Sequence, residues 1–228
     1  MDFLLDAAVL LATLVLFSIV SYKRKLLNFE GILVANIVGI AIFLFSGNSL
    51  VYFFVAVLFF AVAEAATFYA GSRKPKHEIR TAGNIFGNSA IALLCLLAGF
   101  NLGFFAAFAS VLADKLSSEI GLLSKKKPLL ITTFKPVQPG TDGGITLLGI
   151  GASAIGAAMI AAVHFAANNN IAAFAVIAGS GIFGALTDSF FGAAFERKRL
   201  LNNDEVNLLG SLGGAALAWI IASAIGFV

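Results

Sequence analysis

Residues Leu50–Ala70 read LVYFFVAVLFFAVAEAATFYA, an unbroken apolar run whose one charged residue is Glu64. A helix needs about 20 residues to cross a bilayer. Lipid offers the backbone no hydrogen-bond partners, so a spanning segment is a helix or part of a closed barrel. The run lacks strict apolar–polar alternation, which favours the helix. Similar runs fill most of the 228 residues. The chain is 60% hydrophobic and only 12% charged, about half the charge of an ordinary soluble domain, and its mean hydropathy is +0.97. These values predict an all-α, polytopic transmembrane helical bundle, a single integral membrane domain over residues 1–228. No soluble domain of ordinary size fits beside the spans.

Eight spans are predicted: Phe3–Val20, Gly31–Phe45, Leu50–Ala70, Asn84–Phe100, Leu102–Gly121, Ile145–Ala167, Ile171–Phe195 and Val206–Phe227. The second is short, and the fourth and fifth nearly run together, so six or seven spans is the alternative count. Cys95 is the sole cysteine, which excludes an intrachain disulfide. Asp2 and Asp6 stand where a signal peptide would carry basic residues. A net charge of +3 gives no reason to expect nucleic acid as a partner; the bilayer is the expected one. The sequence leaves a homo-oligomer open.

The 15 basic residues are unevenly placed. Lys23, Arg24 and Lys25 form one cluster, and Arg73, Lys74, Lys76 and Arg80 the next. Lys125, Lys126, Lys127 and Lys135 form a third, and Arg197, Lys198 and Arg199 a fourth; Lys115 lies inside a span. All four clusters fall in alternate connections. The positive-inside rule then places those connections in the cytoplasm and both termini outside, in a multi-pass protein of the cell membrane. The hairpins also resemble one another. Ile145-Thr146-Leu147-Leu148-Gly149 parallels Val206-Asn207-Leu208-Leu209-Gly210, and Leu112-Ala113-Asp114 parallels Leu186-Thr187-Asp188, the pattern of a tandem hairpin repeat.

Polar residues inside the spans mark the candidate site. Glu64, Asp114 and Asp188 each precede the cytoplasmic end of their span by some seven residues, which is ~10 Å of depth. Glu119 lies further out and shares a helix face with Lys115. Charges in lipid are costly and belong in a polar interior. Hard oxygen ligands near a basic mouth suit Mg²⁺, which binds one or two carboxylates plus substrate phosphates; structural ion pairs are the bland alternative. Arg80, Asn84 and Asn88, spaced by four, form a polar stripe. The loop 122–144 is the expected functional loop. It contains Thr132, Thr133, Lys135 and the run Pro139-Gly140-Thr141-Asp142-Gly143-Gly144. Its glycines allow close backbone approach to a ligand, and the helix start that follows favours anions; Asp142 as a simple N-cap is the alternative. The loop lacks the Gly-Lys-Ser/Thr ending of a Walker A motif, and no His pair suits zinc. His164 is expected to be structural.

Asp114-Lys115-Leu116-Ser117-Ser118-Glu119-Ile120-Gly121, then Pro139–Gly144, Asp188-Ser189 and Asn203-Asp204-Glu205-Val206-Asn207 follow in this order. Together they resemble an integral membrane protein family that includes the plant phytyl-phosphate kinase, over roughly residues 60–228. The resemblance implies a CTP-dependent kinase that converts an isoprenoid monophosphate, such as phytyl or geranylgeranyl phosphate, to its diphosphate. On that reading Asp114, Glu119 and Asp188 hold Mg²⁺, with Glu64 or Asp142 as further ligands. The Pro139–Gly144 turn, with Thr132 and Thr133, cradles the nucleotide. Lys115, Lys135 and Arg80 neutralise phosphate charge, and Asn84, Asn88 and Asn207 position donors. Phosphoryl transfer to an anionic phosphate needs positioning and charge neutralisation more than a base. Two rivals share the residues: a cation- or proton-coupled secondary transporter, and a cytidylyltransferase acting on a lipid phosphate.

Overall fold

A computed structural model describes residues 3–71 and 79–227; Arg73, Lys74, Lys76 and His77 lie outside the described residues. Among those described, eight α-helices carry most of the chain: α1 (Phe3–Arg24), α2 (Phe29–Phe45), α3 (Leu50–Ala70), α4 (Ala82–Leu97), α5 (Asn101–Gly121), α6 (Leu147–Asn168), α7 (Ile171–Ala194) and α8 (Asn203–Ala224). Five helical segments among the described residues, on α1, α3, α6, α7 and α8, are long and apolar enough to cross a membrane. The fold is therefore an all-α, multi-pass membrane bundle. α2 and α4 are shorter, and α5 carries Asp114, Lys115 and Glu119 in its second half.

Five of the helices, α2, α4, α6, α7 and α8, begin where a side chain accepts from one of their first free N–H groups. The Asn28 side chain accepts from Gly31 at 2.8 Å, Thr146 from Gly149 at 2.9 Å and Asn170 from Ala173 at 3.0 Å. Thr81 with Asn84, and Asn202 with Glu205, form reciprocal capping boxes. α6 starts at Leu147 rather than at Ile145. Gly144–Ile145 (β2) pairs antiparallel with Leu129–Leu130 (β1), and Thr146 caps the helix.

α5 is the axis of the bundle. Every residue from Gly103 to Ala113 is buried, and the helix packs against α3, α4, α6, α7 and α8. Small residues allow this proximity. A side chain at Gly156 would meet the Leu112 carbonyl at 2.9 Å, and one at Gly181 would meet Ala109 at 2.7 Å; Gly184 and Gly214 both close around the Ser110 hydroxyl. By contrast, α1 buries only Asp6, Leu10, Leu14 and Ser21.

The connections that contain the described basic residues meet at one end. Asn28 donates its N–H to the Arg80 carbonyl, and Arg80 donates to the Leu26 carbonyl, both at 3.0 Å. Gly87 of α4 lies against the Asp204 backbone of α8, and Gly143 lies against Ser189 of α7. This end carries the candidate site.

Candidate functional site

Asp114 on α5 and Asp188 on α7 face each other, with their carboxyl groups within hydrogen-bonding reach. Each is half-buried. The approach depends on a missing side chain: a Cβ at Gly210 of α8 would meet the Asp188 Cβ at 2.8 Å. Two carboxylates this close in a partly desolvated site resist ionising together unless a proton or cation lies between them. The adjacent Lys115 offsets part of the charge on Asp114, while Glu119 adds to it.

The pair lies in the wall of a polar cleft of about 610 Å³. Pro139, Gly140, Thr141, Asp142, Gly143 and Gly144 line the cleft from the loop side. Gly143 has φ +72°, and a Cβ there would lie 2.5 Å from the Ser189 carbonyl oxygen and 2.6 Å from the Ala193 nitrogen. Only glycine therefore lets the loop lie flat on α7. Gly192 gives the matching space, where a Cβ would come within 3.6 Å of the Glu196 Oε2 and 3.7 Å of the Asp142 Cβ. Asp142 and Glu196 thus flank one gap, and the charges of Asp142 and Asp114 both act on Glu196. Asp142 is not the cap of α6; Thr146 is. The N–H groups of α6 therefore begin beyond the turn rather than within it.

Glu64 and Glu119, the other two predicted carboxylates, pair with cations instead. Glu119 is fully buried; Lys115 donates to its Oε1 at 2.6 Å and Thr67 donates to the same oxygen at 3.0 Å. Arg80 Nε lies 2.7 Å from Glu64, its guanidinium stands 5.4 Å over the Phe60 ring, and Glu119 also acts on it. No group of three or more Asp, Glu, His or Cys among the described residues is arranged to hold a metal ion.

The polar stripe of α4 divides. Asn84 lines the cleft, and its amide donates to Asp204 of α8, whereas Asn88 lines a separate apolar cavity together with Glu64. Thr132, Thr133 and Lys135 are exposed on a tight turn around Phe134, which has φ +53°; they and the half-buried Asn207 are not in the cleft wall. His164 is buried at the far side, edge-on to Phe105. Sequence reasoning missed Glu196, Gly192 and Thr67. Glu196 had a legible signal: Asp188, Gly192 and Glu196 follow one another at four-residue spacing on one face of α7 and its 3-10 extension.

A multi-pass helical bundle with a carboxylate-lined cleft at one end defines the chain as an integral membrane protein with a polar site at the edge of its spans. It belongs to the integral membrane protein family DUF92, which it matches over residues 12–215. It is 34% identical to the uncharacterized membrane protein MJ0933 of Methanocaldococcus jannaschii, across 87% of each chain. It is 29% identical to protein VTE6, chloroplastic, of Arabidopsis thaliana, across 73% of this chain and 57% of that one. It is also 29% identical to protein PGR of the same plant, across 86% and 80%. No solved structure matches the chain.

Proposed function

We propose that this protein is a membrane kinase that transfers the γ-phosphate of a nucleotide, CTP in preference, to an isoprenoid monophosphate such as phytyl or geranylgeranyl phosphate. The observation that carries this reading is the Asp114–Asp188 pair beneath the Pro139–Gly144 loop, at the basic end of a membrane bundle. An anionic lipid head group and a soluble nucleotide meet at such an interface. The motif order shared with the prenyl-phosphate kinase family supports the same chemistry.

The donor set fits Mg²⁺. Asp114 and Asp188 would hold it, and substrate phosphates would complete the shell, as is usual for this ion. The ion would supply charge neutralisation at the transferring phosphoryl group. In the reaction a bond forms from a lipid phosphate oxygen to the γ-phosphorus, and the bond from that phosphorus to the β-phosphate oxygen breaks, leaving the nucleoside diphosphate. Lys115, oriented by Glu119, neutralises phosphate charge, as does Arg80, oriented by Glu64. The Pro139–Gly144 backbone receives the nucleotide phosphates. Eight spans, outside termini, cytoplasmic basic connections and a single membrane domain with residues 122–144 as its functional loop complete the proposal.

Purified protein with Mg²⁺, labelled CTP, ATP or UTP, and phytyl or geranylgeranyl phosphate should yield the diphosphate. A nucleotide-linked lipid would instead identify a cytidylyltransferase. Counterflow of a labelled solute in proteoliposomes, with no diphosphate formed, would identify a transporter.

A further inference from the structure

A second cavity, of about 440 Å³, lies within α1–α4 and reaches Phe108 of α5. Its walls are apolar, with Phe17, Phe53, Phe59 and Phe60 prominent. It runs from the level of Phe53 to that of Glu64 on α3, ~16 Å along the helix axis. Its volume falls within the range of small-molecule sites, roughly 300–1,000 Å³.

Two buried donors near this cavity have no hydrogen-bond partner among the described residues: Ser21 Oγ and Arg80 Nη2. Ser21 is fully buried and lines the cavity. Arg80 is 12% exposed, and both Phe60 beneath its guanidinium and Glu64 at its Nε line the cavity. A buried donor left unsatisfied is costly, and a phosphate oxygen would satisfy both. Glu119, which lines the polar cleft, also acts on the guanidinium. Asn84 in the cleft and Asn88 in the cavity are one turn apart on α4. Arg80 and its partners therefore lie where the two compartments approach each other.

We propose that the apolar cavity holds the hydrocarbon chain of the isoprenoid monophosphate, whose phosphate meets Arg80 and Ser21 at the boundary with the cleft. The assignment rests on the kinase reading for its ligand and goes beyond it by placing the chain between α1, α2 and α3. The glycine-rich faces of α6–α8 are occupied by helix packing and leave no comparable space at Gly149, Gly156, Gly184, Gly210 and Gly214. The sparsely packed α1 is the side open to lipid. A chain leaving bilayer for cavity exchanges one apolar medium for another, so affinity comes from the phosphate, and the cavity selects chain shape.

The test uses the full chain in nanodiscs, without nucleotide, and a geranylgeranyl monophosphate analogue with a diazirine in the distal half of its chain. Photolabelling should map by mass spectrometry to α1, α2 and α3. Ala35→Trp and Ala56→Trp, which fill the cavity, should each lower labelling about fivefold or more. Unlabelled geranylgeranyl phosphate should compete, and geranylgeraniol should compete about tenfold less well, for want of charge-assisted hydrogen bonds. Labels on the outer faces of α6–α8, undiminished labelling in both variants, or equal competition by phosphatidic acid would each overturn the assignment. If the diphosphate forms while the label lies elsewhere, this inference fails and the kinase reading stands. If the label maps to the cavity but no nucleotide yields diphosphate, the cavity remains a prenyl-phosphate site and the kinase reading fails.

Discussion

The polar cleft on α5 and α7 and the apolar cavity behind α1 are both walled by membrane helices, but they solve different problems. At the cleft, carboxylates are pressed together: Asp114 meets Asp188, and Asp142 stands near Glu196. At the cavity Glu64, the one acid in its wall, has a cation in Arg80, while the Glu119–Lys115 pair lines the cleft. Like charges held together cost stability and are relieved by a ligand; opposite charges held together maintain the fold without one. The contrast agrees with the proposal that the cleft is the reactive side, and it leaves the Arg80–Glu64 pair as a buried ion pair with one donor to spare.

Asp114→Asn and Asp188→Asn test that contrast most severely. Each should lower diphosphate formation at least about 100-fold, since a lost ligand to a charge-neutralising ion is worth several kcal/mol. Neither should lower the melting temperature, because each relieves repulsion. A variant that lost activity together with melting temperature would make the pair structural and erase the distinction between the regions.

Arg80→Leu should lose stability as well as activity. It leaves Glu64 (13% exposed side chain) without its cation, and breaking a buried pair on one side costs about 3–5 kcal/mol. The double change Arg80→Leu/Glu64→Leu should recover much of that loss in the unfolding free energy while remaining inactive. Equal losses in the single and double variants would show that the pair is not desolvated.

Gly143→Ala and Gly140→Ala separate backbone strain from loop seating within the cleft. Both glycines have positive φ, +72° and +82°, but only Gly143 abuts another element. Gly140→Ala should cost about 1–2 kcal/mol of backbone strain. Gly143→Ala should cost more, because the loop must lift from Ser189 and Ala193, and should raise the KM for nucleotide. Equal effects would mean that the loop does not depend on its seat on α7.

Much of this organisation was legible in the sequence. Long apolar runs gave the helices, and basic clusters gave the connections that share one end. Matched depth singled out Glu64, Asp114 and Asp188, and of these Asp114 and Asp188 do meet. Depth was readable from residue counts, but rotation about each helix axis was not. Glu64 shares their depth yet points to Arg80, because helix packing sets azimuth. Glu196 was masked by the basic run Arg197–Arg199 beside it. Thr146 was overlooked as a cap because the predicted span began at Ile145 and already contained it, leaving Asp142 upstream as the capping residue. The apolar cavity has no sequence signal at all: Phe17 and Phe60 read like any lipid-facing residue, and only tertiary structure turns them inward.

The smallest expected effect concerns the two helix starts that border these regions. Asn202 caps α8 beside the cleft, and Asn28 caps α2 near the cavity's polar end. Replacing either by Ala removes an acceptor from one helix-start N–H and should cost about 1 kcal/mol in unfolding free energy where water can replace it. Asn202 is exposed, so Asn202→Ala should stay near that value and leave turnover unchanged. Asn28 is half-buried beside the Arg80 carbonyl, with Gly31 closed against both. Asn28→Ala should therefore cost more, toward the ~1–3 kcal/mol of a buried unsatisfied donor. If denaturant titrations give both variants the same small loss, water reaches the cavity's polar end. The unpartnered groups of Arg80 and Ser21 would then be solvated, removing the reason to expect a phosphate there.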